Sequence, residues 1–167
     1  QFVVILDGGY DAVGVEQQPL NEKAARTAIL KLKNQVSAFA ISSLFGTRNS
    51  SHEVRLKALV TELTDMPVIC GNELASSLGA PRRALTAALN ARMVPPIKEL
   101  IGSVLKVLNQ HKVVAPLMIV KGDGSLASLK NAIEKPIGTV LSGPAASVIG
   151  ACQLSGLQNA IVADMGG

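Results

Sequence analysis

The sequence predicts an α/β fold with a mostly parallel sheet covered by helices on both faces. Patterns typical of strands and of amphipathic helices alternate along most of the chain, as they do when crossover connections join parallel strands. The strand candidates are continuous aliphatic runs, which is typical of strands buried on both faces. Apolar residues make up 48% of the 167 residues and aromatic residues only 2%, so Val, Ile, Leu and Ala have to build the core.

The bulk composition excludes several classes of protein and partner. Charged residues, at 17%, are too few for a disordered chain, and no apolar run approaches the roughly 20 residues of a membrane span. The net charge of +4 comes from scattered basic residues without interleaved aromatics, so we expect no nucleic-acid partner. We also expect no secretory signal and two buried, free thiols, Cys70 and Cys152, and hence a cytoplasmic protein.

The N-terminal part of the chain holds three strand candidates separated by two helices. The strands are predicted at the apolar runs 2–6, 36–45 and 67–70. Asn21 is expected to cap the first helix, which reaches to about Asn34. The second helix is predicted from residue 51 to residue 63.

The start of this second helix carries two residues of chemical interest. Ser50 and Glu53 have the spacing of a capping box, in which each side chain binds a backbone N–H group of the first turn. His52 has no second histidine four residues further on, so we interpret it as a first-turn residue and not as a zinc ligand.

The middle of the chain predicts one long helix. It begins after a polar, glycine-containing segment and runs over about residues 81–111, with Pro95 and Pro96 inside it. Two prolines predict a sharp kink or a break at that point. This long helix interrupts the alternation of strand and helix patterns, which suggests three segments. They are an α/β segment at 1–71, a kinked helical segment at 72–115 and a second α/β segment at 116–167.

A glycine-rich turn follows the predicted strand at residues 117–120 and precedes a predicted helix. Gly122, Gly124 and Ala127 have the spacing of a dinucleotide-binding turn. The acidic residue expected about twenty positions further on is missing, because residues 135–152 contain neither Asp nor Glu. The dinucleotide interpretation is therefore weak.

Two interpretations of this turn remain open. In the first, the glycines allow a tight turn, and Asp123 or Ser125 caps the helix that follows. In the second, the turn faces a ligand and directs Lys121 or Asp123 at the substrate. The candidate substrate-binding residues are Lys121, Gly122, Asp123 and Gly124.

A second break follows a short strand predicted at residues 139–141. Ser142 fits the cap of the next helix and Pro144 fits its first position. The N-terminus of a helix offers unpaired N–H groups and a positive dipole end, which suit an anion. Ser142 and Gly143 are therefore candidate cofactor-binding residues, although close packing alone also explains the small side chains of this helix.

The last strand, predicted at residues 159–163, ends in an acid followed by two glycines. Ligands of open α/β sheets collect at the carboxyl ends of strands. Asp164 is suited to hold Mg²⁺, often through water, while the amides of Gly166 and Gly167 approach a phosphate. The alternative is a tight turn with a capping acid.

Taken together, these stretches resemble the hydantoinase A / 5-oxoprolinase family. The resemblance rests on residues 118–126, 139–151 and 161–167. The Leu-Ser-Gly-Pro-Ala-Ala string is its most specific part, with the aspartate-glycine string at the right distance. Upstream, the stretches 43–53 and 89–95 agree as well.

The resemblance implies an actin-like ATPase (ribonuclease H-like) fold that uses ATP and Mg²⁺. Members of the family open five-membered lactam or hydantoin rings, and ATP-driven phosphorylation of an amide oxygen makes that oxygen a good leaving group. A partner subunit of the hydantoinase B type is a further implication, and related subunits serve in acetone carboxylase. The alternatives are a non-catalytic interaction module that assembles with a partner subunit, or another kinase of the actin-like fold.

The departures from the family pattern predict a fragment. The family has two phosphate loops of the acid-x-Gly-Gly-Thr kind, and only the start of the second is present, at residues 164–167. Residues 1–71 then correspond to the later part of the N-terminal region, and residues 116–167 lead into the second loop. We expect the isolated chain to be inactive. The substrate stays open among hydantoin, N-methylhydantoin, 5-oxoproline and the ketone of a carboxylase relative.

Overall fold

The structure is a computed structural model that describes residues 2–76, 78–157 and 159–165. Its internal contacts divide the chain into two compact units, Gln1–Pro95 and Pro96–Gly167. Both units contain short strands and helices, so the predicted α/β class is observed.

The first unit is built around one strand-helix-strand crossover. In chain order its elements are β1 (Gly9–Tyr10), β2 (Glu16–Gln18), α1 (Glu22–Leu32), β3 (Phe39–Ile41), α2 (Ser51–Leu63), β4 (Val68–Cys70), α3 (Gly71–Leu74) and the first part of α4 (Ala80–Gln110). β3 and β4 pair in parallel, with Ala40 opposite Ile69, and α2 is the crossover helix between them. β1 and β2 form an antiparallel hairpin.

The core of the first unit lies where α1 and α2 cover the β3–β4 pair. Its buried members are aliphatic, as the low aromatic content predicted: Ala25, Ile29, Leu59, Val60 and Val68. Cys70 is buried beside this layer, and burial together with the charges of Glu73 and Glu53 raises the pKa of its thiol to about 12. Both cysteines are free. The predicted burial is confirmed for Cys70 and wrong for Cys152, which is exposed on α6.

The two helix starts of this unit differ in how well the sequence predicted them. Asn21 caps α1 as expected, because its side-chain oxygen accepts a hydrogen bond from the N–H of Ala24 at 3.0 Å. Ser50 precedes α2 but makes no side-chain cap bond. Glu53 points inward and is fully buried, so the predicted capping box is wrong.

The strand predicted at residues 2–6 is wrong. No sheet partner reaches these residues within the described part of the chain, and Val3 and Ile5 are 82% and 92% exposed. A β-branched run has strand composition, but a strand also needs a neighbouring backbone to complete its hydrogen bonds. The strand predicted at residues 36–45 shortens to Phe39–Ile41 for the same reason, since β4 pairs with only three of its residues.

Of the sharp kink or break predicted at Pro95 and Pro96, the break is also wrong, and the kink stays a prediction. Helical residues run without interruption from Ala80 to Gln110, although the boundary between the two units falls between the prolines. Proline removes a helix hydrogen bond but fixes φ near −65°, which is itself helical, so a chain can continue through it at a cost. No described helix is both long and apolar enough to cross a membrane.

The second unit begins with the rest of α4 and continues with shorter elements. These are β5 (Met118–Val120), β6 (Leu126–Ser128), α5 (Leu129–Glu134), a 3₁₀ turn (Pro136–Thr139) and α6 (Ser142–Ser155). β5 and β6 pair antiparallel, so the glycine-rich turn joins two strands of a hairpin. The helix predicted directly after that turn is therefore wrong, and α5 is capped by Ser128 instead of Asp123 or Ser125.

Two further strands predicted in the second unit are absent from the described residues. The 3₁₀ turn ends at Thr139, and residues 140 and 141 form a turn instead of the strand predicted at residues 139–141. Leu141 has a left-handed φ of 62°, which no strand allows. Residues 159–163 form no ladder there, and Ile161 is 99% exposed.

The mostly parallel sheet is not confirmed over the described residues. They form three two-stranded sheets, of which one is parallel and two are antiparallel. The division into segments 1–71, 72–115 and 116–167 stays a prediction.

Candidate functional site

The residues predicted as a site all belong to the second unit, where two of the three groups contact α6. The first group is the turn between β5 and β6. Lys121 N–H donates to the carbonyl of Ser125 at 2.8 Å, and Gly124 N–H donates to the carbonyl of Lys121 at 2.9 Å. Gly124 has a φ of +80°, which favours glycine. The first interpretation of the glycines, a tight turn, matches this geometry.

The charged side chains of this turn bind each other. Asp123 Oδ1 accepts hydrogen bonds from the N–H and the Oγ of Ser125, at 3.0 and 2.7 Å. Its Oδ2 lies 3.0 Å from Lys121 Nζ. The hydrogen bonds from Ser125, followed by that from Lys121, hold the pKa of Asp123 far below its ordinary value. The turn thus presents a fixed, ionised carboxylate-ammonium pair at the surface.

The turn also packs tightly on the chain that leads into α6. Gly122 N–H donates to the carbonyl of Gly138 at 2.8 Å. A Cβ atom at Gly122 would overlap the carbonyl oxygen of Val140, and one at Gly124 would overlap the end of Ile149 on α6. Close approach to backbone therefore requires glycine at Gly122. At Gly124 the positive φ is the stronger constraint, because the end of the Ile149 side chain can move.

We expect Gly122→Ala to destabilise the second unit by about 2 kcal/mol, as overpacking against atoms that cannot move does. The clashing atom is the Val140 carbonyl oxygen, which belongs to the backbone. Native-state amide exchange should show faster exchange of the Lys121 N–H group. The matched control is Gly150→Ala, because nothing lies within 4 Å of a Cβ atom there. Equal effects of the two variants would contradict the packing argument.

The second predicted group is the start of α6. Leu141 occupies the cap position with left-handed dihedral angles, φ 62° and ψ 20°, and no side chain caps this helix. Ser142 is the first helical residue and Pro144 the third, so the predicted Ser142 cap is wrong. Gly143 is exposed and Ser142 half-buried at this uncapped end. A helix start without a side-chain cap leaves backbone N–H groups for water or a ligand.

Of the third predicted group, Asp164, Gly166 and Gly167, the structure describes Asp164. Its Oδ2 accepts a hydrogen bond from Ser147 Oγ at 2.8 Å, which attaches the exposed carboxylate to the second turn of α6. Gly166 and Gly167 lie outside the described residues. The structure thus brings the glycine turn and Asp164 onto one helix.

The fit of this carboxylate to Mg²⁺ follows from its chemistry. Among residues 2–76, 78–157 and 159–165 no three His, Cys, Asp or Glu side chains group as metal ligands. Mg²⁺ typically keeps several waters and takes one or two carboxylates together with phosphate oxygens. A single exposed carboxylate, held by Ser147 on the second turn of α6, fits such a site, provided that water and phosphate complete the coordination.

Sequence reasoning missed a polar cluster in the first unit. The buried imidazole of His52 lies 2.6 Å from Glu16 Oε1 and stacks on Tyr10 with ring centroids 4.4 Å apart. Glu22 and Arg55 form a bidentate pair nearby, and the Arg55 hydrogen bond lowers the pKa of Glu22. Glu16 and His52 are 36 positions apart, so no local spacing could have revealed their contact.

The same arrangement of chain is found in a solved enzyme structure. The crystal structure of ATP-dependent caprolactamase from Pseudomonas jessenii superimposes with a TM-score of 0.85 and 30% identity. The match covers 97% of this chain and 24% of that chain. This places the protein in an α/β fold that it shares with an ATP-dependent enzyme.

Sequence comparison agrees. The chain is 33% identical over 159 residues to caprolactamase subunit alpha of Pseudomonas jessenii, covering 92% of this chain and 23% of that protein. It is 27% identical to the acetophenone carboxylase gamma subunit of Aromatoleum aromaticum, covering 94% and 22%. It therefore spans less than a quarter of the length of these two relatives.

The family assignment follows from two matches. The family described as hydantoinase/oxoprolinase matches residues 83–167, and its N-terminal region matches residues 1–64. The chain belongs to the hydantoinase/oxoprolinase family, as its residues predicted.

Proposed function

We propose that this chain is a segment of an ATP-dependent enzyme that opens a cyclic amide, such as a lactam or a hydantoin, on an actin-like ATPase fold. The family and the similarity to caprolactamase support the proposal. The observation that carries it is geometric. The Lys121–Asp123 turn and the Asp164 carboxylate both lie against α6, at Ile149 and at Ser147, and no side chain caps the start of that helix.

In this proposal each group has one role. The backbone N–H groups of Ser142 and Gly143, with the amides of Gly166 and Gly167, bind phosphate oxygens. Asp164 binds Mg²⁺ through oxygen or through a water ligand. When bound, ATP supplies the phosphoryl group that turns the amide oxygen into a leaving group. Lys121, Gly122, Asp123 and Gly124 form the wall of the site that faces the substrate.

We further propose that the complete protein works with a partner subunit of the hydantoinase B type in the cytoplasm. Both relatives carry the name of a subunit, and both cysteines are free. The similarity to the acetophenone carboxylase subunit favours one alternative, in which the activated oxygen belongs to a ketone that is then carboxylated.

Phosphate release by the full-length protein that contains this segment tests the proposal. We expect release that depends on Mg²⁺ and rises when hydantoin, N-methylhydantoin or 5-oxoproline is added. Release that rises only with a ketone and bicarbonate would replace the cyclic-amide reaction with the carboxylase alternative. An absence of ATP-dependent phosphate release with every compound, with the partner subunit present, would overturn the enzyme proposal.

A further inference from the structure

The first unit contains a cleft that none of the predicted site residues lines. It has a volume of about 460 Å³ and opens between the β1–β2 hairpin and the starts of α1 and α2. Pockets for small molecules typically measure about 300–1,000 Å³ and combine an apolar wall with a few convergent polar groups. Here Tyr10, Pro19 and Leu20 contribute apolar surface, and Glu16 and Arg55 contribute charge.

One polar wall of this cleft is a fixed carboxylate. The His52 side chain is only 9% exposed, and its Nε2 lies 2.6 Å from Glu16 Oε1. The ring is wedged between Tyr10 and the backbone of Gly8, where a Cβ atom would come within 3.3 Å of Nδ1. The Glu16 side chain remains 51% exposed, so its carboxylate is anchored at one oxygen and accessible from solvent.

The other polar wall is a fixed guanidinium. Arg55 donates from Nε and Nη2 to the two carboxylate oxygens of Glu22, at 2.6 and 2.7 Å. A guanidinium has five N–H donors, and the Arg55 side chain is 48% exposed. It therefore has donors left over for a ligand after it binds Glu22.

The carboxylates of Glu16 and Glu22 and the guanidinium of Arg55, which all line the cleft, already have protein partners. What the cleft offers a ligand is an oriented acceptor, Glu16, and an oriented donor, Arg55, beside apolar surface. A compound with an N–H group, a carbonyl oxygen and ring methylene or methine groups matches these three features together. A simple amine uses the acceptor alone and leaves the remaining donors of Arg55 unused.

We propose that this cleft binds a small neutral ring amide, whose N–H donates to Glu16 and whose carbonyl oxygen accepts from Arg55. The inference rests on the proposed function, since it assigns to the first unit a further binding site for that substrate class, in addition to the one proposed at residues 121–124. Glu16 is the ligand-contacting residue. His52 is a positioning residue, because it holds the Glu16 carboxylate and is itself buried.

Binding without ATP tests the inference separately from turnover. The chain is titrated with 2-pyrrolidinone and with hydantoin, and backbone amide chemical shifts are followed by NMR. We expect saturable shifts at residues that line the cleft, such as Ser51 and Leu20. Glu16→Gln should weaken binding at least about tenfold, because a neutral acceptor replaces a charged one.

The matched control is Glu62→Gln. Glu62 is also half-exposed and ion-paired, with Arg26, but it does not line the cleft. This variant should leave the affinity unchanged. Shifts that do not saturate, equal losses in the two variants, or tighter binding of the amine pyrrolidine than of 2-pyrrolidinone would each overturn the inference.

The positioning role of His52 has its own readout. His52→Gln retains an N–H donor near the position of Nε2 and should keep most of the affinity, whereas His52→Leu should lose it. Equal affinities in these two variants would show that His52 does not position the Glu16 carboxylate. Because no ATP is present, a negative phosphate-release experiment leaves a positive titration standing, and the reverse also holds.

Discussion

Replacing Asp164 with Asn is expected to lower substrate-dependent phosphate release by the full-length protein by about a hundredfold, the typical cost of one group that stabilises transition-state charge. The exposed carboxylate is attached to α6 through Ser147 Oγ. Asn keeps the shape and an oxygen that accepts this hydrogen bond but loses the negative charge that Mg²⁺ requires. The kcat of phosphate release should therefore fall, and the fold should stay intact.

The measurement is phosphate release under saturating Mg²⁺ with the partner subunit present. Asp65→Asn is the control, since Asp65 is an exposed aspartate of the first unit with no proposed role. We expect this control to retain its activity. A loss of less than about threefold in Asp164→Asn would mean that the carboxylate does not take part in phosphoryl transfer. A thermal melt of both variants checks that neither loses its fold.

Local signals in the sequence predicted the parts of the fold that depend on near neighbours. The Asn21 cap is confirmed, and α2 has the predicted bounds, Ser51–Leu63. A cap and an amphipathic face are decided within a few residues, so their pattern is legible in one sequence.

Strands were harder to predict because pairing is not local. Residues 2–6 and 159–163 have strand composition but no ladder among the described residues. The glycine turn shows the same difficulty on a smaller scale. Leu126–Ser128 pairs back on β5, and this three-residue strand converts the predicted strand-turn-helix into a hairpin followed by a helix.

The residues of the candidate site also differ in whether a local sequence signal could predict them. The glycines of the turn were identified from the sequence, but their reason, contact with Val140 and Ile149, needed the fold. The Glu16–His52 pair has no sequence signal. Glu53 had a signal that pointed to the wrong partner, since a carboxylate three residues after Ser50 fits a cap whether or not the side chain turns inward.

Shortening Glu53 to Ala is therefore expected to lower the free energy of unfolding of the first unit by about 3 kcal/mol, the cost of leaving buried donors without their charged acceptor. Glu53 Oε1 accepts from the N–H and the Oγ of Ser43, at 2.8 and 3.1 Å. Its Oε2 accepts from the N–H of Asn72 at 2.9 Å. The carboxylate thus links, through hydrogen bonds, the segment that follows β3 and the segment that follows β4.

Urea unfolding followed by tyrosine fluorescence measures this effect, because Tyr10 is the sole tyrosine, there is no tryptophan, and Tyr10 contacts His52 next to Glu53. Glu53→Gln should recover only part of the loss. Both carboxylate oxygens of Glu53 accept hydrogen bonds, whereas the glutamine side chain has one accepting oxygen and one donating NH₂ group. Glu62 lies on the same helix as Glu53, and Glu62→Ala removes an exposed carboxylate that pairs with Arg26 of α1. It should cost less than about 1 kcal/mol. Equal costs for Glu53→Ala and Glu62→Ala would show that the buried carboxylate does not hold the two strand ends together.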